Sequence, residues 1–435
     1  MPDVAVPEAQ AVLQSLQVGV VPHDGLQHLA VGRVAELRQA LRELEVLRRG
    51  GGVFRVVVGE YGAGKTFFLR LVRQVALTQG YVVADADLGP ELRLRGDGRG
   101  LATYRHLMAN LASDSRPDGG ALAIVLDRWC DGVRSAAAAR LGLPGAGAMR
   151  RTPEAAQALD SELRARLEAL RTLPGGFAWA STLRRYLEAA VAGDDEGTTA
   201  ALRRLRGEYR TRAEVRATLG LGDVAPISDA DWHEHLRLLA LTAVQAGYQG
   251  LLVLLDECGH LASVPQPDAR SSNYEVLLGL LNDALQGRAR HLGLYVAGPP
   301  EMLRDPRRGL FSYPALATRL TQNPYADQAH RDLAQPVLEL PPLSADELLA
   351  LFLKVRALHV GLHGESSLDP DGVGRFLRGL LARPGASRFL TPREALRSFV
   401  QALNILQQHP ELQPAAVLDR ATEDIAAGRF VALEP

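Results

Sequence analysis

The stretch GEYGAGKT, Gly59 to Thr66, fits the pattern G-x-x-x-x-G-K-[ST]. It lies between a β-branched run, VFRVVV (Val53 to Val58), and a segment with helical periodicity, TFFLRLVRQVALTQG. Strand, glycine loop and helix in that order leave few folds open. The glycines let the backbone bend so that successive N–H groups converge on phosphate oxygens. The start of the helix adds partial positive charge at the same place. Lys65 is one of only two lysines among 49 basic residues, the other being Lys354. Its presence in an arginine-rich chain has a chemical reason. A compact ammonium on a flexible stem reaches between β- and γ-phosphates, where a planar guanidinium is bulkier and badly shaped. Gly59, Gly62, Ala63, Gly64, Lys65, Thr66 and Phe67 are therefore read as the nucleotide-binding loop. Lys65 also counts as catalytic, and the Thr66 hydroxyl is a candidate ligand for Mg²⁺. ATP with Mg²⁺ is the expected occupant.

A second run, GLLVLLDECGH (Gly250 to His260), is apolar up to Asp256 and Glu257. A buried parallel strand has this composition. Acids at its C-terminal end belong to the edge where such sheets bind ligands. The expectation is that this strand neighbours the first one and sets the acids beside the glycine loop. Asp256 would then hold Mg²⁺ through water, and Glu257 would polarise the attacking water. Gly259 occupies the last position of a D-E-x-D/H helicase signature, and no LSGGQ transporter signature is present. HLGLYVAGPP (His291 to Pro300) reads as a further buried strand, ending in Gly298, Pro299 and Pro300.

Bulk properties narrow the class. A length of 435 residues suits two or three domains. The formal net charge is -1, so contact with nucleic acid needs a local basic patch. Two cysteines, Cys130 and Cys258, make no disulfide framework and no zinc site. The N-terminus lacks the basic region of a signal peptide, and no long apolar span appears. A cytoplasmic protein with no membrane association is expected. The fold class is α/β. Residues 1–30 read as an N-terminal arm, 31–89 as the first part of the core, and 90–248 as a helical insertion. Residues 249–340 read as the second part of the core and 341–435 as a helical lid. The insertion follows from the length between strand two, YVVADADL, and the Asp256 strand, which far exceeds one crossover. Its RRLRGEYRTRAEVR (Arg203 to Arg216) is either a DNA- or partner-binding patch or a solvated helix face with ion pairs. His233 and His235 in WHEH lack the spacing of a zinc helix and read as ordinary helix residues.

Several segments resemble known ATPases. V-G-R-x-x-E-L, opening at Val31, is similar to a segment preceding the P-loop in Cdc6/ORC-like and STAND-type AAA+ ATPases. That likeness implies a place for Arg33 near the adenine. AAA+ relatives also imply an arginine after the fourth strand that serves a neighbouring subunit's γ-phosphate, for which Arg319 is the first candidate and Arg308 the second. TPREALRSFV resembles a sensor-2 helix with Arg393 reaching back to the nucleotide. Pro299 stands where relatives carry a small polar sensor-1 residue, which implies slow or partner-dependent hydrolysis. Taken together, GEYGAGKTFFLR, VVADADLGPELRL, RSSNYEVLLGLLNDALQG, DPRRGLFSYPALATRL and LPPLSADEL resemble the BrxD-type ATP-binding proteins of BREX anti-phage systems. The resemblance implies an AAA+ P-loop NTPase with a parallel sheet, a large helical insertion and a C-terminal helical lid. It also implies a homo-oligomer that couples ATP binding and hydrolysis to DNA engagement and assists a superfamily-2 helicase in anti-phage defence. The alternative is a STAND-like nucleotide-dependent switch or scaffold with little turnover.

Overall fold

The computed structural model describes residues 4–150, 152–326, 330–364, 366–382 and 391–426. The outermost residues of the arm and of the C-terminal segment lie outside that range. The protein is α/β, with a parallel five-stranded sheet and many helices. The strands are β1 (Gly52–Val58), β2 (Val82–Asp87), β3 (Leu251–Asp256), β4 (Leu292–Gly298) and β5 (Val337–Glu339), in spatial order β2-β3-β4-β1-β5. β3 and β4 are buried along their whole length, as continuous apolar runs in a covered parallel sheet should be. β1 carries one charge inward. Arg55 is buried, and its guanidinium pairs with Glu43, whose carboxylate also accepts from the Tyr295 hydroxyl. A buried charge needs such partners.

The strand order corrects one expectation. β3 does not neighbour β1, because β4 lies between them. The His291 N–H at the entry to β4 donates to the Gly51 carbonyl at 2.9 Å, fixing β4 against β1. On its other side β4 pairs with β3 from Leu251↔Leu292 to Leu255↔Val296. Two strands of equal apolarity carry no mark of which is next to a third, so spatial order was not readable from their composition.

By contact the chain divides into two compact units. One comprises Met1–Arg38, Val58–Val72 and Glu339–Pro435; the other comprises Gln39–Val57 and Arg73–Leu338. In the first unit the arm helix Val6–Gln17 shares a core with the C-terminal helices Ala345–His363, Pro370–Leu381 and Pro392–Gln408. Val12, Leu13, Val355, Phe352, Phe376 and Phe399 are among its buried members. Phe352 and Phe399 meet with ring centroids 4.7 Å apart. The helix Val6–Gln17 is thus part of this helical core.

In the second unit, helices fill the sequence between β2 and β3, including Leu122–Arg140, Pro153–Arg171, Gly176–Ala192 and Trp232–Gln245. All three tryptophans lie here and are fully buried. Each indole N–H has an acceptor: Gln245 Oε1 for Trp129 (2.8 Å), Thr242 Oγ1 for Trp179 (3.0 Å) and the Leu94 carbonyl for Trp232 (2.8 Å). Large apolar area with its one polar atom satisfied makes a firm core.

Candidate functional site

The chain leaves β1 at Val58 and turns through Gly59–Gly64 into the helix Lys65–Thr78. Gly62 and Gly64 have φ of +81° and +86°, the left-handed region that glycine enters without strain. The Ala63 N–H donates to the Glu60 carbonyl at 3.0 Å, closing the turn. Lys65 Nζ folds back to donate to the carbonyls of Gly59 (2.8 Å) and Glu60 (3.1 Å). Thr66 and Phe67 follow in the first helical turn, and Phe67 packs on the core of the C-terminal helices. The loop is closely covered at one point: a Cβ on Gly62 would lie 2.7 Å from the Cβ of Thr391. Thr391 caps the helix Pro392–Gln408 in a capping box with Glu394.

Arg33 is 5% exposed and is not directed to open space. Its Nη2 donates to the Ala63 carbonyl at 2.9 Å and to the Pro341 carbonyl at 2.7 Å. Arg393 is exposed in the first turn of its helix, with its Cγ 3.7 Å from where a Cβ on Gly19 would stand. Thr391, two residues earlier, is the member of this segment that meets the glycine loop. Sequence reasoning did not single it out; its signal was the T-P-R-E pattern of a capped helix start.

In the other unit, Asp256 ends β3 and is 5% exposed, while Glu257 is exposed. The Glu257 N–H donates to Asp256 Oδ1 at 2.8 Å. Glu257 has φ of +53°, one of only three non-glycine residues with positive φ among the described residues. Such a value costs about 1–2 kcal/mol for an L-residue. The turn is pinned on its far side by the Cys258 N–H, which donates to the Ala297 carbonyl of β4 at 2.9 Å. Burial pushes the Cys258 thiol well up, so it stays protonated and inert. Asp87 ends β2 in register with Asp256, and the Leu88 N–H donates to the Asp256 carbonyl at 2.9 Å. No sequence signal marked this register, which became visible only with the strand pairing. At the end of β4, Pro299 packs on the acidic turn: a Cβ on Gly259 would lie 2.9 Å from Pro299 Cδ.

The two arginine candidates beyond β4 differ. Arg319 Nε donates to Asn282 Oδ1 at 2.7 Å, and its Nη1 to the Ala315 carbonyl at 2.9 Å. Arg308 is exposed on a turn held by Asp305, whose carboxylate accepts the N–H groups of Arg307 (2.7 Å) and Arg308 (3.0 Å). Those backbone bonds hold the Asp305 carboxyl below its usual range. The arginines of the insertion also separate. Arg204 is buried, and Arg203 stacks on Tyr209 (4.8 Å to the ring centroid) and pairs with Glu208 at 3.4 Å. Arg210, Arg212 and Arg216 are exposed.

The family model for BREX system ATP-binding protein BrxC/D matches residues 4–422. The chain belongs to this BrxC/D family. No curated protein matches the chain. The match spans glycine loop, insertion, acidic turn and C-terminal helices together, so this BrxC/D chain carries all the segments described above within one family unit. No helix among the described residues is long and apolar enough to cross a membrane.

Proposed function

We propose that this BrxC/D-family chain is a Mg²⁺-dependent ATPase of BREX defence, built as an AAA+ P-loop protein. The observation that carries the reading is the loop itself: two left-handed glycines, a helix beginning at Lys65, and the Lys65 ammonium held at the loop's mouth by two carbonyls. Backbone amides and an ammonium suit phosphate oxygens. ATP with Mg²⁺, when bound, supplies the phosphoryl group and much of the charge neutralisation. Lys65 would hold phosphate oxygens in place of its carbonyl partners, Thr66 would hold the metal through its hydroxyl, and Asp256 would hold it through water. Glu257, exposed on its fixed turn, orients a water and takes its proton. Of the two arginines, Arg319 is the first candidate from the sequence and Arg308 the second; because Arg319 donates to Asn282 and Ala315 while Arg308 is exposed, Arg308 is put first here as the residue that serves a neighbouring copy in a homo-oligomer. Arg210, Arg212 and Arg216 are the cations proposed to meet DNA phosphates. A superfamily-2 helicase is the proposed partner, and the cytoplasm the proposed compartment.

The test is a pair of variants of the full chain. Lys65→Ala lowers ATP affinity on the order of 100-fold, as loss of a charged hydrogen bond should. Glu257→Gln binds ATP as wild type does and loses turnover by about 100-fold or more. Equal turnover in Glu257→Gln and wild type removes Glu257 from the reaction. One observation favours a switch with little turnover: the end of β4 presents Pro299 to the acidic turn, with no polar side chain at that position. Turnover measured with and without DNA separates the two readings. Strong stimulation supports the motor, and a rate near zero in both supports the switch.

A further inference from the structure

The glycine loop is held from behind by a residue outside it. Arg33 is buried and spans two carbonyls, Ala63 within the loop and Pro341 at the entry to the C-terminal helices. A trans peptide is planar, with its C=O and the next N–H pointing opposite ways. Fixing the Ala63 carbonyl toward Arg33 therefore aims the Gly64 N–H away from Arg33, on the loop's other side. Gly64 has φ of +86°, so its own backbone supplies no preference that would hold this orientation alone. Arg33 is itself gripped. Gly32 has φ of +66°, and the space a Cβ would occupy there is filled by the Glu347 carboxylate. Lys354 Nζ donates to the Ala30 carbonyl at 2.7 Å. Glu347 and Lys354 both lie on the helix Ala345–His363, which the Pro341 carbonyl precedes.

We propose that Arg33 is a positioning residue of the phosphate cradle rather than a contact to the base. It sets the Gly64 amide toward the β-phosphate and ties that setting to the C-terminal helices. The inference rests on the proposed ATP site and deepens it. It predicts a specific signature: Arg33 matters to the phosphates, not to the adenine.

The experiment is calorimetric binding of two probes to the full chain, Mg-ATP and inorganic tripolyphosphate, in wild type, Arg33→Met, Arg33→Gln and Lys65→Ala. Arg33→Met weakens both probes by the same factor, about 10- to 100-fold, the range for a hydrogen bond from a charged donor. Arg33→Gln keeps a polar side chain but ends two bonds short of the guanidinium nitrogens, so it weakens both probes as Arg33→Met does and covers the case in which the Met variant fails to fold. Loss of ATP affinity with tripolyphosphate unchanged would overturn the inference and make Arg33 a base contact. Unchanged affinity for both probes in the Gln and Met variants would overturn it as well. Lys65→Ala separates the two levels. If it retains ATP, the loop is not the ATP site and this inference falls with it; if it loses both probes, the site stands and the Arg33 variants decide.

Discussion

The left-handed backbone at Glu257 makes a prediction in which stability and activity part company. Consider Glu257→Gly, Glu257→Asn and Glu257→Ala. All three remove the same carboxylate, so any change in repulsion from Asp256 is common to them. They differ in how each tolerates φ of +53°. Alanine keeps the full penalty of about 1–2 kcal/mol, asparagine relieves part of it, and glycine removes it. Glycine gives back about 0.5–1 kcal/mol through the freer unfolded chain. The glycine variant should therefore be more stable than the alanine variant by about 1 kcal/mol, with asparagine between. For a unit of this size that is a shift of about 2–4 °C in melting midpoint. The readout is convenient because Trp129, Trp179 and Trp232 are buried in the same compact unit as β3, so intrinsic fluorescence follows its unfolding. On the proposed mechanism all three variants lack turnover. The order Gly, Asn, Ala in midpoint, with activity equally absent, is the expected result. An alanine variant as stable as the glycine variant would show that the turn is not held left-handed, and the claim that the fold spends stability to aim Glu257 would go with it.

Other consequences follow from single residues. Burial lowers the pKa of His235 to about 4, and its Nδ1 lies 3.0 Å from the Asp231 carbonyl. The folded state then binds fewer protons than the unfolded state below the ordinary value of 6.5. The stabilisation is complete above about pH 6.5 and is lost as pH falls toward about 4, amounting to about 3 kcal/mol in all. His235→Asn, whose amide can take the place of Nδ1, should unfold with a flatter dependence on pH across that window by fluorescence-detected urea titration. Asp305→Ala releases the turn that carries Arg308, and Arg308→Ala removes the guanidinium. Both should lower turnover in mixed assemblies, the second by up to about 10³-fold, with ATP affinity unchanged; a drop in affinity instead would place the effect in binding. Gly62→Ala puts a Cβ 2.7 Å from the Cβ of Thr391 at φ of +81°. It should weaken ATP binding and shift the first unit's melting, and a neutral variant would show that Thr391 does not seat on the loop. Replacing Arg210, Arg212 and Arg216 with glutamine should flatten the dependence of DNA affinity on salt, by about one counterion for each phosphate that is no longer neutralised, while leaving basal turnover intact.

What could be read from residues alone was the chemistry that side chains declare. The loop Gly59–Thr66 and the acids at 256–257 are local patterns, and the structure puts a helix start at Lys65 and a strand end at Asp256 as those patterns require. Adjacency was another matter. β3 and β4 are equally apolar, so nothing marked β4 as the strand between β3 and β1, and Asp87 gained its meaning only from a register that composition does not encode. Arginine in an arginine-rich chain was equally silent. Arg203, Arg204 and Arg210 share one basic run, yet one is stacked, one is buried and one is exposed. Arg33 shows the reason most clearly. Two of its partners are the carbonyls of Ala63 and Pro341, groups that every residue carries. A side chain that recognises another side chain leaves two marks in a sequence, whereas one that recognises backbone leaves only its own. The motif V-G-R, read by its likeness, therefore pointed to the adenine end of the nucleotide, because no second side chain marked its backbone partners. On the proposed reading, the peptide Ala63–Gly64, held by Arg33, moves that expectation from the base toward the phosphates.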